Sequence, residues 1–197
     1  LRRDGTRSSA RRRLVRVAMD IGRYPDAQQH LSDFLLKESP EDGELLGWRG
    51  LCEEATGQYQ KAAQSYQAAI QAAPQRLEFY GRLAGLLRQR LGNAQEADQW
   101  MERLVAANPL SVAARVHRGQ YRQAIGDQQQ AAGQTEQAAK RYEEAAADAA
   151  VALKLAEGSG KDADPNRAAA ERAEAFLLAA QCAHLSLIHI SEPTRPY

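Results

Sequence analysis

Glycines stand at residues 22, 57, 92 and 126, at successive intervals of 35, 35 and 34. No other feature constrains the chain as tightly, because self-similarity at such a period marks stacked units that each repeat one supersecondary element. The neighbours keep step. Tyr24 and Tyr59 follow their glycine by two residues; Ala27, Ala62 and Ala97 by five; Leu31, Tyr66 and Met101 by nine; Phe34, Ala69 and Leu104 by twelve. Pro74 and Pro109 close their units at seventeen, and Pro40 at eighteen. Each landmark has a task in a pair of antiparallel helices. Glycine ends the first helix, where a left-handed backbone costs it nothing. The small alanine lets the second helix approach closely, the apolar residues at nine and twelve complete its stripe, and proline stops it before the next unit.

These residues resemble the tetratricopeptide repeat, a helical pair of about 34 residues. Gly57, Tyr59, Ala62, Tyr66, Ala69 and Pro74 follow its second-helix pattern. First helices depart further: Leu46 replaces the usual Trp and Glu53 the usual Tyr, while Gly50 holds the small position. Tyr80 and Leu83 restore the pattern in the next unit, with a one-residue insertion after them. The resemblance implies an all-α fold, a right-handed α-solenoid of about four helix-turn-helix units plus a truncated fifth.

The expected organisation is a disordered basic start over 1–7 and repeats over 8–157, divided as 8–41, 42–76, 77–110 and 111–157. A linker follows over 158–166, then the first helix of a truncated repeat over 167–184. The fourth unit is irregular. With Gly126 as its landmark, Glu157 closes it 31 residues later instead of 17, an excess of 14 containing the polar stretch Gln128–Gln130, Gly133 and Gln134, which reads equally as a loop or as an extended helix protruding from the stack. Residues 185–197 resemble the translated read of a transposase sequencing adaptor and are expected to be foreign to the gene. Because the chain starts at Leu1, the true start is expected to lie upstream, and the sequence assigns no compartment beyond a cytoplasmic default.

Composition narrows the chemistry. Only 6% of residues are aromatic, and Ala and Gln dominate whole stretches, which favours closely packed helices over a sheet. Cys52 and Cys182 stand alone, without CxxC or histidine at ligand spacing, and read as buried small hydrophobes. The apolar run Ala175–Ile190 is broken by Gln181, His184 and Ser186 and is too short to span a bilayer. Gly158-Ser159-Gly160-Lys161 lacks the first glycine and the final Ser or Thr of a phosphate loop. Asp162, Asp164 and Asn166 begin like a calcium loop, but Arg167 and Ala173 occupy its glycine and bidentate Glu positions. His30, His117, His184 and His189 form no helical metal pair, and no nucleophile motif is present. The expectation is therefore no metal, no cofactor and no enzyme activity. Trp48 and Trp100 read as packing anchors.

The resemblance also implies where a ligand would sit. In the family, first helices line the concave groove at positions 2, 5, 9, 12 and 13. Counting each landmark glycine as position 15, the candidate groove residues are Arg12, Arg16, Arg82, Gln89, Arg90, Gln120 and Gln123, with Glu44, Leu51 and Glu54 from the second unit. The expected partner is a protein or peptide, and because guanidinium groups match carboxylates an acidic one is among the candidates. The Lys and Asn arrangement of the family's chaperone-tail binders is missing. Arg2, Arg3, Arg7, Arg11, Arg12, Arg13 and Arg16 make the start basic, yet a solvated helix face accounts for them better than nucleic acid does. The sequence thus points to a peptide-binding scaffold. Its alternatives are the docking region of a larger enzyme and binding of nucleic acid or an acidic partner through the Arg-rich start.

Overall fold

Helix after helix follows from local signals in a computed structural model that describes the backbone of residues 2–158 and 165–191. The order is α1 (Arg2–Asp20), α2 (Tyr24–His30), a π-helical segment (Leu31–Leu35), α3 (Leu36–Glu38), α4 (Gly43–Ala55), α5 (Tyr59–Ala72), α6 (Glu78–Gln89), α7 (Ala94–Ala107), α8 (Val112–Ala131), α9 (Thr135–Gly158) and α10 (Pro165–Ser191). There is no strand among the described residues. Side chains open the helices where orphan amides need acceptors. Asp42 accepts from the Glu44 and Leu45 amides at 2.9 and 3.1 Å. Asn93 accepts from the Glu96 amide at 3.1 Å while its own amide donates to the Glu96 carboxylate at 2.7 Å, a reciprocal cap. Ser111 accepts from the Ala114 amide at 3.2 Å.

Four glycines have positive φ: Gly22, Gly57, Gly92 and Gly133, between 67 and 76°. Three of their turns share one wiring. The amide after the glycine donates five residues back: Arg23 to Ala18 at 2.7 Å, Gln58 to Glu53 at 2.7 Å and Gln134 to Gln129 at 2.8 Å. At Gly92 the bond spans one residue more, from the Asn93 amide to the Leu87 carbonyl at 2.8 Å, which is the insertion expected after Leu83. The late Pro40 also has a local cause. A π-helical segment admits one extra residue into the second helix of the first unit, as π-bulges do.

The fourth hairpin corrects the sequence reading. Gly126 does not end a helix; α8 runs through it to Ala131, and Gly133 takes the turn. Counted from Gly133, Ala138, Tyr142 and Ala145 fall at five, nine and twelve, and all three are buried. Gly126 instead occupies the position of Gly50, seven residues before the turn. A Cβ at Gly50 would lie 2.7 Å from the Tyr66 ring, and one at Gly126 would lie 2.6 Å from the Tyr142 ring. Of the two readings of the excess, the extended helix is the one observed, shared between the two arms of the hairpin. Helix α8 is seven residues longer than α4, and α9 is ten longer than α5. Since seven residues make about two helical turns, the shift preserves helix face, and Gly126 mimics the landmark.

Other expected boundaries move. Helix α1 begins at Arg2, where a disordered start over 1–7 was expected. Helix α10 spans Pro165–Ser191, beyond both ends of the expected 167–184. Residues 159–164 of the expected linker and 192–197 of the expected foreign tail lie outside the described residues.

The chain divides into two compact units, residues 1–101 and 102–197. In the first, Val15, Ala27, Leu31, Leu45 and Cys52 form a buried core flanked by Met19, Tyr24 and Trp48. Tyr66 stacks on Phe79 with ring centroids 6.2 Å apart, and Tyr80 meets Trp100 edge-on at 6.4 Å, so Trp100 is a packing anchor. Glu53, in place of the family's Tyr, is buried and accepts the Ser65 hydroxyl at 2.6 Å. In the second unit, α10 lies against the α8–α9 hairpin, with Ala175 beside Val112, Val116, Ala152 and Ala156, and Leu178 and Cys182 beside Ala145 and Ala149.

Candidate functional site

Within the first unit lies an open cleft of about 490 Å3. Helix α1 contributes Met19 and Asp20; α2 contributes Tyr24; α4 contributes Leu51, Glu54 and Ala55; α5 contributes Tyr59; and Arg82 and Arg90 come from α6 and its C-terminal cap. By the repeat count, Met19, Asp20, Leu51, Glu54 and Ala55 fall at the positions that the resemblance assigns to a groove, near the turns of the first and second hairpins. Tyr24 and Tyr59 are repeat landmarks that also wall the cleft.

The two arginines are held in different ways. The Arg90 guanidinium lies 5.4 Å from the centre of the Tyr59 ring, a cation–π contact that fixes its place without neutralising it. Arg82 is 53% exposed and 3.8 Å from Glu54, a loose pair in solvent. Glu54 is oriented from below by the Tyr66 hydroxyl, which donates to it at 2.6 Å. Burial, and then that carboxylate, push the Tyr66 hydroxyl far above its ordinary pKa, so it stays a donor. The cleft thus combines the apolar side chains of Met19, Leu51 and Ala55, the Tyr24 and Tyr59 rings, two guanidinium groups and the Asp20 and Glu54 carboxylates. Cys52, beneath it in the core, is pushed up to about 11 by burial and by Glu53, which leaves a thiol with little nucleophilic character.

Other sequence candidates sit elsewhere. Arg12 is turned back on its own chain, 2.6 Å from Asp42 and 3.4 Å from Glu44. Arg16 lies over the Trp48 ring at 5.9 Å. Gln89 is exposed and does not line the cleft. Gln120 and Gln123 lie on α8 in the second unit, where the corrected register moves them from positions 9 and 12 to positions 2 and 5, still groove positions. Arg11 pairs with Glu38 at 2.9 Å, so the basic start presents fewer free charges than its composition suggests.

The sequence reading missed an ionic cluster in the second unit. Asp148, 1% exposed, receives Arg118 at 2.5 and 2.9 Å and Arg122 at 2.7 Å, with Arg115 at 3.7 Å. Glu102 also receives Arg118, and it takes Arg122 at 2.8 Å. Burial pulls the Arg118 pKa down, but Asp148 and Glu102 outweigh it and hold the group charged. Two sequence signals could have found the cluster: arginines at 115, 118 and 122 on one helical face, and a lone acid inside the alanine run around 148. Among the described residues no group of three or more His, Cys, Asp or Glu side chains is placed to hold a metal. No helix among them is long and apolar enough to cross a membrane.

Comparison with known proteins matches the geometry. Residues 12–76 match the tetratricopeptide repeat family model. A crystal structure of MamA superposes with a TM-score of 0.57 at 21% identity, over 78% of this chain and 85% of that one. MamA from Desulfovibrio magneticus RS-1 gives a TM-score of 0.52 at 17% identity, over 92% and 96% of the two chains. A tetratricopeptide repeats protein from Bacteroides fragilis gives 0.51 at 18% identity, over 92% and 91%. At these identities the likeness is one of fold. No curated protein matches the sequence.

Proposed function

We propose that this chain, a tetratricopeptide-repeat protein with an all-α repeat fold, is a non-catalytic scaffold that holds an acidic peptide segment in the groove of its first unit. Proteins of this fold serve in general as protein-interaction scaffolds. The observation that carries the finer reading is the convergence of Arg82 and Arg90 on one cleft with groove residues from α1 and α4. An extended segment alternating acidic and apolar side chains would set carboxylates against the guanidinium groups and apolar groups on Leu51 and Met19. Charge-assisted pairs of this kind contribute about 1.5–3 kcal/mol each when well formed.

The test is fluorescence anisotropy with a labelled peptide alternating Glu and Leu, at low salt. Substituting Arg82→Ala and Arg90→Ala together should weaken binding at least about tenfold, which corresponds to 1.4 kcal/mol. Equal affinity for the double variant and the parent chain would overturn the reading. The Arg-rich start draws less support as a docking site, because Arg11, Arg12 and Arg16 are each engaged by α1's own neighbours.

A further inference from the structure

Among the described residues, four charged side chains line the cleft of the first unit, and their charges cancel: Asp20 and Glu54 against Arg82 and Arg90. Glu54 and Arg82 answer each other at 3.8 Å, with the Tyr66 hydroxyl holding the carboxylate at 2.6 Å. The other two have no such answer. Arg90 rests on the Tyr59 ring, a contact that leaves its N–H groups available, and it pairs with no carboxylate among the described residues. Asp20 is exposed and pairs with no cation among them, Arg90 included. It also serves its own helix badly. Asp20 is the last residue of α1, where the aligned peptide dipoles are negative and a carboxylate is disfavoured. One cleft therefore presents a carboxylate and a guanidinium, each unneutralised and too far from the other to pair.

We infer that the segment held in this cleft is bipolar, carrying a cationic side chain for Asp20 as well as a carboxylate for Arg90. The inference rests on the peptide reading above and narrows it. A segment with carboxylates alone would gain Arg90 but bring its charge toward Asp20 and Glu54, and like charges at close quarters repel. A segment with cations alone meets the reverse problem at Arg82 and Arg90. An occupant bearing one of each satisfies both lone charges and leaves the Arg82–Glu54 pair as it stands. Each wrong partner brings a like charge to one side of the cleft, so the same four groups that attract the right segment also reject the others. Lysine suits the place of the cation, because its apolar stem can lie along Met19 and Leu51 while its ammonium reaches the exposed Asp20.

Fluorescence anisotropy on the full chain tests this with two series of labelled peptides. Both start from the alternating Glu and Leu sequence; one places a single Lys at each Leu position in turn, and the other places Gln there. At one position the parent chain should hold the Lys peptide about threefold more tightly than its Gln counterpart, the scale of an exposed ion pair. Asp20→Asn should erase that preference without weakening the Gln peptide, and Asp20→Lys should turn it toward a peptide with Glu at the same position. A merely structural role for Asp20 would move both series alike. Asp20 is exposed, so neither substitution disturbs the core. Binding that depends on Arg82 and Arg90 but shows no preference for Lys at any position, or a preference that survives in both variants, overturns this inference alone. If no peptide binds, or if binding ignores those arginines, the peptide reading falls and this inference falls with it.

Discussion

Asp42 carries two tasks at one position. It caps α4 through two amides and receives Arg12. Burial would raise its pKa, but the Arg12 hydrogen bond and the Leu45 and Glu44 amides together hold it below 3.8. A carboxyl lowered in the folded state contributes its full stability above its unfolded value, and loses it as pH falls through the folded one. Asp42→Ala should therefore cost about 1 kcal/mol in urea denaturation at neutral pH, and the difference from the parent chain should shrink below about pH 4. Asp148 is the harsher case. It is buried under three arginines, so Asp148→Ala should destabilise by about 3–5 kcal/mol, because it strands cations rather than merely removing an attraction. A companion change of Arg118→Met in the same chain should recover part of that loss. Equal losses in the single and double variants would show that packing around Asp148, rather than charge, is what matters. Asp42 is legible as a cap from sequence, since a helix start is a local event. The partners of Asp148 are not, because they lie 26 to 33 residues away and only the folded hairpin brings them together.

At the scale of the helix pair, the glycines separate into two kinds that look alike in sequence. Gly22, Gly57 and Gly92 were readable because a left-handed turn demands glycine at each period. Gly126 was misread because a displacement of seven residues returns a helix to nearly the same face. The two kinds respond oppositely to substitution. Gly126→Val should destabilise by about 2 kcal/mol or more, since its side chain would enter the Tyr142 ring. Gly81→Ala, within α6 and with open space around its Cβ position, should stabilise by about 0.5–1 kcal/mol. Thermal unfolding of both variants checks the pair of signs. The cleft was legible only in outline. Groove positions follow from the repeat count, but the seat of Arg90 on Tyr59 depends on packing between residues 31 apart in sequence. Arg12 and Arg16 shared the same pattern but are engaged by Asp42 and Trp48, 30 and 32 residues away, which the repeat count does not reveal either.

Across the whole molecule, the second unit relies on α10 as the first relies on successive hairpins. Leu178 and Cys182 are buried by α10's contact with α9, and Leu178 also reaches Gly119 of α8. Ending the chain at Gly158 would expose that surface. Fully burying one leucine-sized side chain is worth about 1.5–3 kcal/mol, so the shortened chain should lose at least about 3 kcal/mol of stability in its second unit. Urea denaturation followed by circular dichroism tests it; an unchanged midpoint would mean that α10 rests on the hairpin without supporting it. The long fourth hairpin has a consequence of its own. It is built as a telescope: against α4 and α5 the first arm is longer by about 10 Å and the second by about 15 Å, while the turn keeps its wiring. Reach can thus change in this architecture without altering the turn, and the seven residues added before it, about two whole turns, return that arm to the same face.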